Sequence, residues 1–227
     1  MKSWNFNGNI PKIFDIHVEK SVPLYNDIQN LIIGLGEFFI KDNSNVLDIG
    51  CSTGKTIINL IKNIDKCFYI TGIDLSEDMI KTAIENTSEF NNVTNINLFN
   101  NSIVDIDIEN FDYIISNLTL QFLSLEDREI VCRKVYNGLN KGGAFIVFEK
   151  IYSENPIYQD MYNQLYYDFK EENGFTDKEI RDKEKSLRGV LRPIEGADNL
   201  RLLKSCGFMV EECFRYLNFV GYLCIKN

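Results

Sequence analysis

The residues best suited to chemistry stand at 46–54, where Val-Leu-Asp-Ile-Gly-Cys-Ser-Thr-Gly runs from an acidic strand end into a glycine loop and then a helix. Gly50 permits a turn and a close approach that a Cβ would block, and Gly54 is expected to let the helix start pack against the strand. Free N–H groups at that helix N-terminus would face a ligand. The spacing differs from the dinucleotide fingerprint G-x-G-x-x-G. A triphosphate loop ending in Gly54-Lys55-Thr56 would need glycine where Ile49 stands. Asp74 follows at the tip of the next predicted strand, in Ile70-Thr71-Gly72-Ile73-Asp74-Leu75-Ser76. A carboxylate there can accept hydrogen bonds from both hydroxyls of a ribose. Ser76 is better placed to cap the helix that follows. Ser102-Ile103 and Ser116-Asn117-Leu118-Thr119 end the next two strands, where ligands bind in open α/β sheets. Asn117 either serves the ligand or a second substrate, or is an ordinary turn residue.

These positions need a parallel sheet beneath them. After residue 45 the pattern alternates between short β-rich runs and longer amphipathic segments, as in a sheet covered by helices. Strands are expected at 46–49, 67–73, 95–99, 113–116 and 144–149, with helices at 55–63, 77–88 and 124–139. Lys141-Gly142-Gly143 reads as a helix stop and turn. A helix near 197–206 precedes strands 208–216 and 219–225, joined by a turn too short for a crossover and therefore antiparallel. The expected fold is α/β and Rossmann-like, with a mostly parallel seven-stranded sheet and an antiparallel C-terminal strand. It forms one domain over 1–227, with an N-terminal helical segment at 1–45 and an inserted helical cap at about 152–192.

Composition narrows the function. The 227 residues are 44% hydrophobic, 12% aromatic and 25% charged, which is globular in character. A net charge of −9 argues against a broad nucleic-acid surface. Arg181, Lys183, Lys185, Arg188 and Arg192 are the densest basic run, but Asp182 and Glu184 interrupt it, as on a solvated helix face. The six cysteines include no CxxC pair and the chain has one histidine, so no metal site is expected. Most of these cysteines sit in apolar segments, which suggests a reducing compartment. The segment 1–6 lacks the apolar core of a signal peptide, and 31–40 is too short to cross a bilayer, so a cytoplasmic protein without a membrane partner is expected.

More specific segments accompany the loop: Ser21-Val22-Pro23-Leu24-Tyr25, Asn117-Leu118-Thr119-Leu120-Gln121-Phe122-Leu123, Gly138-Leu139-Asn140, Gly142-Gly143-Ala144, Glu149-Lys150 and Tyr167-Asp168-Phe169-Lys170. With Asp48-Ile49-Gly50-Cys51-Ser52, they resemble the carboxy-S-adenosylmethionine synthases, a family of the class I methyltransferase superfamily, from Phe14 onward. The family uses prephenate to add a carboxylate to the methyl of S-adenosylmethionine (SAM), for modification of wobble uridine in tRNA. The resemblance implies SAM as cofactor, carboxy-SAM as the alternative, and a homodimer. It maps Tyr25, Gly50, Cys51, Ser52, Asp74, Leu75, Ile103 and Asn117 onto cofactor-contacting positions. Ser102 stands where the family has an aspartate near the adenine amino group. Glu184 stands at the family's arginine that pairs with the added carboxylate, which a glutamate would repel.

The substitution at 184 and the acidic charge favour methyl transfer to a small-molecule acceptor. Carboxy-SAM synthesis is the alternative, followed by intramolecular cyclisation of SAM or a non-catalytic SAM-binding module. In-line attack on the sulfonium methyl asks mainly for positioning and water exclusion. Tyr25 and Asn117 are the catalytic candidates, with His17, the only imidazole, as an optional base. Tyr158, Tyr162 and Tyr166 recur at i, i+4 and i+8 and would line an aromatic wall around a cation or acceptor. With Arg181 and Glu184 they make up the expected substrate pocket.

Overall fold

The computed structural model describes residues 10–90 and 94–227; the first nine residues of the expected N-terminal helical segment lie outside them. Two helices lead in, α1 (Ile10–Ser21) and α2 (Tyr25–Phe39). The alternating part follows as β1 (Asn45–Ile49), α3 (Lys55–Asn63), β2 (Tyr69–Asp74), α4 (Glu77–Thr87), β3 (Asn95–Asn100), β4 (Phe111–Asn117), α5 (Leu125–Gly138) and β5 (Leu139–Lys150). The cap is α6 (Pro156–Glu172) and α7 (Asp177–Leu187), and the chain closes with α8 (Gly196–Ser205), β6 (Met209–Tyr216) and β7 (Phe219–Ile225).

The seven strands lie in the order β3-β2-β1-β4-β5-β7-β6. β7 runs antiparallel to both its neighbours, β5 and β6, while the other pairings are parallel. Because successive side chains of a strand point to opposite faces, each central strand feeds two cores. Val46, Tyr113, Ile115, Ala144, Ile146 and Phe148 pack with α2 and α3 on one face. Leu47, Ile49, Ile114, Phe145 and Val147 pack with α5 and α8 on the other. Both faces being covered, the central strands read as continuous apolar runs. Each fully buried Ile or Leu contributes roughly 1.5–3 kcal/mol.

Two expectations change. Gly142-Gly143 does not stop a helix: α5 already ends at Gly138, where a Cβ would lie 2.1 Å from the Ile108 carbonyl oxygen. The pair lies inside β5, with Gly142 at φ 78, and exchanges backbone hydrogen bonds with Lys226. The cap is also broken, at Gly174 (φ 87), after which Thr176 and Glu179 form a reciprocal capping box that starts α7. All six cysteines are free thiols, and among the described residues no helix is long and apolar enough to cross a membrane.

Candidate active site

β1, β2 and β4 bring their carboxyl ends together beside the reversal in strand order. Gly50 adopts φ 76 and its N–H, with that of Cys51, donates to Ile73 O, folding the loop back over β2. A Cβ on Gly50 would lie 2.2 Å from Thr119 Oγ1, so the close approach expected there is to the loop after β4. Gly54, at φ 81, is tight for a different reason from the one expected: its neighbours are Thr87 and Ala83 of α4, not the strand.

Asp74 sits at the tip of β2, with Oδ2 accepting from Ser52 N at 3.0 Å and Oδ1 from Ser76 N at 2.8 Å. Each oxygen keeps a lone pair for a hydroxyl. Burial pushes its pKa up, against the pull of those two backbone donors. Ser76 caps α4 through Met79 N, as its position predicts. Leu75 beside it is 77% exposed, an apolar surface left at the strand tip. Ser102 accepts from Val104 N at 3.3 Å, and Ile103 is buried.

One strand further in, three buried oxygens have no hydrogen-bond partner: Asp48 Oδ2, Ser116 Oγ and Asn117 Oδ1. Asp48 pairs with Ile115 of β4, so its carboxyl lies on the same face of the sheet as Asn117, two residues beyond Ile115, whereas Ser116 pairs with Ile49 and points to the other face. Burial, then the negative charge of Asp74, pushes the Asp48 carboxyl up to about 7. Buried acceptors left unpaired cost free energy, and a donor-rich cation arriving there would satisfy them. Tyr25, the first residue of α2, is buried nearby; burial and Asp15 raise its phenol, so it holds its proton at neutral pH. Its hydroxyl accepts from Gln29 Nε2. Cys51 is buried with its thiol pushed well up by desolvation, and so is not a nucleophile. Helix α1 closes over the loop: Asp15 accepts from Thr53 Oγ1 at 2.7 Å, and Glu19 pairs with Lys55. Sequence reasoning missed this contact, which no local pattern announces.

The other candidates lie on the cap side. His17 on α1 meets the Phe175 ring edge-on at 5.2 Å; desolvation, then Lys183 and Lys170, lower its pKa to about 4, far too low for an effective base at neutral pH. Tyr158 is 55% exposed and stacks on Tyr162, whereas Tyr166 is buried and meets Phe219. The three therefore do not form one wall. Arg181 is exposed on α7, and Glu184, also exposed, accepts a hydrogen bond from the Tyr167 hydroxyl. Behind Glu184 lie Lys150, at the end of β5, and Lys170, with ammonium nitrogens 4.3 and 4.0 Å from the Tyr166 ring centroid. The sequence reading noted Lys183 but assigned no role to Lys150 or Lys170.

Comparison with known proteins bears on the family and the fold. The family model described as Methyltransferase domain matches residues 46–143, which span β1 to the start of β5. The carboxy-S-adenosyl-L-methionine synthase of Staphylococcus epidermidis is 41% identical over 98% of this chain and 97% of its own length. Among solved structures, the YcgJ protein of Bacillus subtilis superposes with a TM-score of 0.63 at 16% identity, covering 85% of this chain and 72% of that one. Phosphoethanolamine N-methyltransferase 2 of Haemonchus contortus, solved with S-adenosyl-L-methionine, gives a TM-score of 0.61 at 13% identity, covering 87% and 52%. These two likenesses bear on the fold alone.

Proposed function

The chain belongs to the carboxy-S-adenosyl-L-methionine synthase family, and from that premise we propose that it is a SAM-dependent transferase that carboxylates the methyl group of SAM at the expense of prephenate. The observation that carries the SAM half is the pair of unpartnered buried oxygens on Asp48 and Asn117, acceptors on one sheet face suited to the ammonium end of SAM. Asp74 would take the ribose hydroxyls, Leu75 and Ile103 would pack on the adenine, and Ser102 would stand beside its amino group. The backbone of Gly50, Cys51, Ser52 and Gly54 would cradle the remainder. Tyr25, kept protonated, would donate a hydrogen bond within the site and not act as a base.

Atoms balance if prephenate loses its ring carboxyl and hydroxide as it aromatises to phenylpyruvate. The carboxyl then replaces one proton of the SAM methyl, and hydroxide takes that proton as water. The chain's part is to hold both partners and keep bulk water out. The product would serve wobble-uridine modification elsewhere in a reducing cytoplasm, which asks no nucleic-acid surface of a protein with net charge −9. A homodimer, implied by the resemblance, finds support in Ile157, Met161 and Leu165, an apolar row on α6 in which each residue is more than half exposed.

The test is incubation with SAM and prephenate, read by mass spectrometry. Carboxy-SAM forming only when both are present is expected; unchanged SAM would refute the reading. Methyl transfer to a small-molecule acceptor is the second reading, favoured by Glu184 at the mouth of the cap. S-adenosylhomocysteine formed with a methylated acceptor would establish it.

A further inference from the structure

Lys170 is buried, and among the described residues no hydrogen bond or ion pair joins its ammonium or that of Lys150 to an acceptor. Both lie over the ring of Tyr166, so the two ammonium groups are gathered around one side chain. A ring face offers an ammonium less than the water it replaces. Lys183 of α7 adds a third ammonium, half-buried and near Lys170. The groups facing them are His17 from α1, which is neutral, Tyr166 and Tyr167 from α6, and Glu179 and Glu184 from α7. Glu184 is exposed and tied to Tyr167, so even with its charge counted the lysine cluster remains cationic.

The lysine cluster is linked to the SAM half through α1. That helix holds the glycine loop by Asp15, and six residues on, about 9 Å along its axis, Ser21 O accepts from the Tyr166 hydroxyl at 2.8 Å. Lys150 itself ends β5, next in the sheet to the strand that carries Asn117.

We propose that Lys150, Lys170 and Lys183 form a binding site for the carboxylate groups of the second substrate. The assignment of that substrate as a dicarboxylate rests on the reading above. It gives these lysines the cationic role that Glu184 vacates at the rim. Burial lowers Lys150 and Lys170 to about 8 and Lys183 to about 7. A bound carboxylate would return all three to the charged form.

The test titrates prephenate, and inorganic phosphate in parallel, into the SAM-loaded full-length protein by calorimetry. Lys150→Met and Lys170→Met should each weaken prephenate binding by at least about tenfold, with SAM affinity unchanged within about twofold as the control for folding. Lys150→Arg should keep most of the affinity. Wild-type affinity for prephenate in both Met variants, no binding by the wild type, or lysine-dependent binding of phosphate alone would each overturn the assignment. Lysine-dependent prephenate binding without carboxy-SAM formation would leave this site standing and remove the proposed reaction.

Discussion

The two halves of the candidate site carry opposite charge and are strained in opposite directions. Over β1, β2 and β4, burial raises two carboxyls, Asp48 and Asp74, above the usual carboxylate range. Under the cap, burial lowers Lys150, Lys170 and Lys183 below the usual ammonium range. On the proposed reading, a ligand of opposite sign would offset the cost of these buried groups in each half. On the same reading, the contrast would let an acidic chain with pI near 4.8 accept an anion, with cationic groups gathered under α6 and α7.

The largest effect that would break the comparison is on the acidic side. Asp74→Ala removes an acceptor for two hydroxyls, and SAM affinity should fall by about 100-fold or more, with the melting temperature little changed. Unchanged affinity by calorimetry would remove Asp74 from the site.

A pH series sharpens the contrast next, because the two halves have opposite signs. A raised Asp48 costs the unliganded protein stability as pH climbs from its unfolded value of 3.8 towards 7. A cation favours the ionised form, so SAM affinity should rise several-fold between pH 6 and 8, with proton release. The lysines, depressed to about 8 and about 7, are charged only below those values. Prephenate affinity should therefore fall several-fold between pH 7 and 9.5, with proton uptake on binding. Two profiles of the same sign would dissolve the distinction.

How much of this could be read beforehand depends on distance along the chain. The loop, the strand tips and the Ser76 cap were legible because a two-residue alternation and one turn specify them locally. The roles of Gly54 and of Gly142-Gly143 were misread, since what a glycine avoids is set by Thr87, Ala83 or Asp112, residues remote in sequence. The lysine cluster was illegible for the same reason: its members come from β5, α6 and α7. The tyrosine wall failed through geometry, because eight helical residues turn Tyr166 about 80° away from Tyr158.

The smallest effect is expected on the cap's outer face. Arg181 is exposed there, so Arg181→Ala should change kcat/KM by less than about twofold. A larger loss would extend the basic half to the rim of α7.

The most direct test of the two-ended site follows SAM carrying a trideuterated methyl through a reaction with prephenate. The account predicts carboxy-SAM that retains two deuterons, with phenylpyruvate released in equal amount. S-adenosylhomocysteine, with all three deuterons carried off on an acceptor, would contradict it and make the enzyme a methyltransferase.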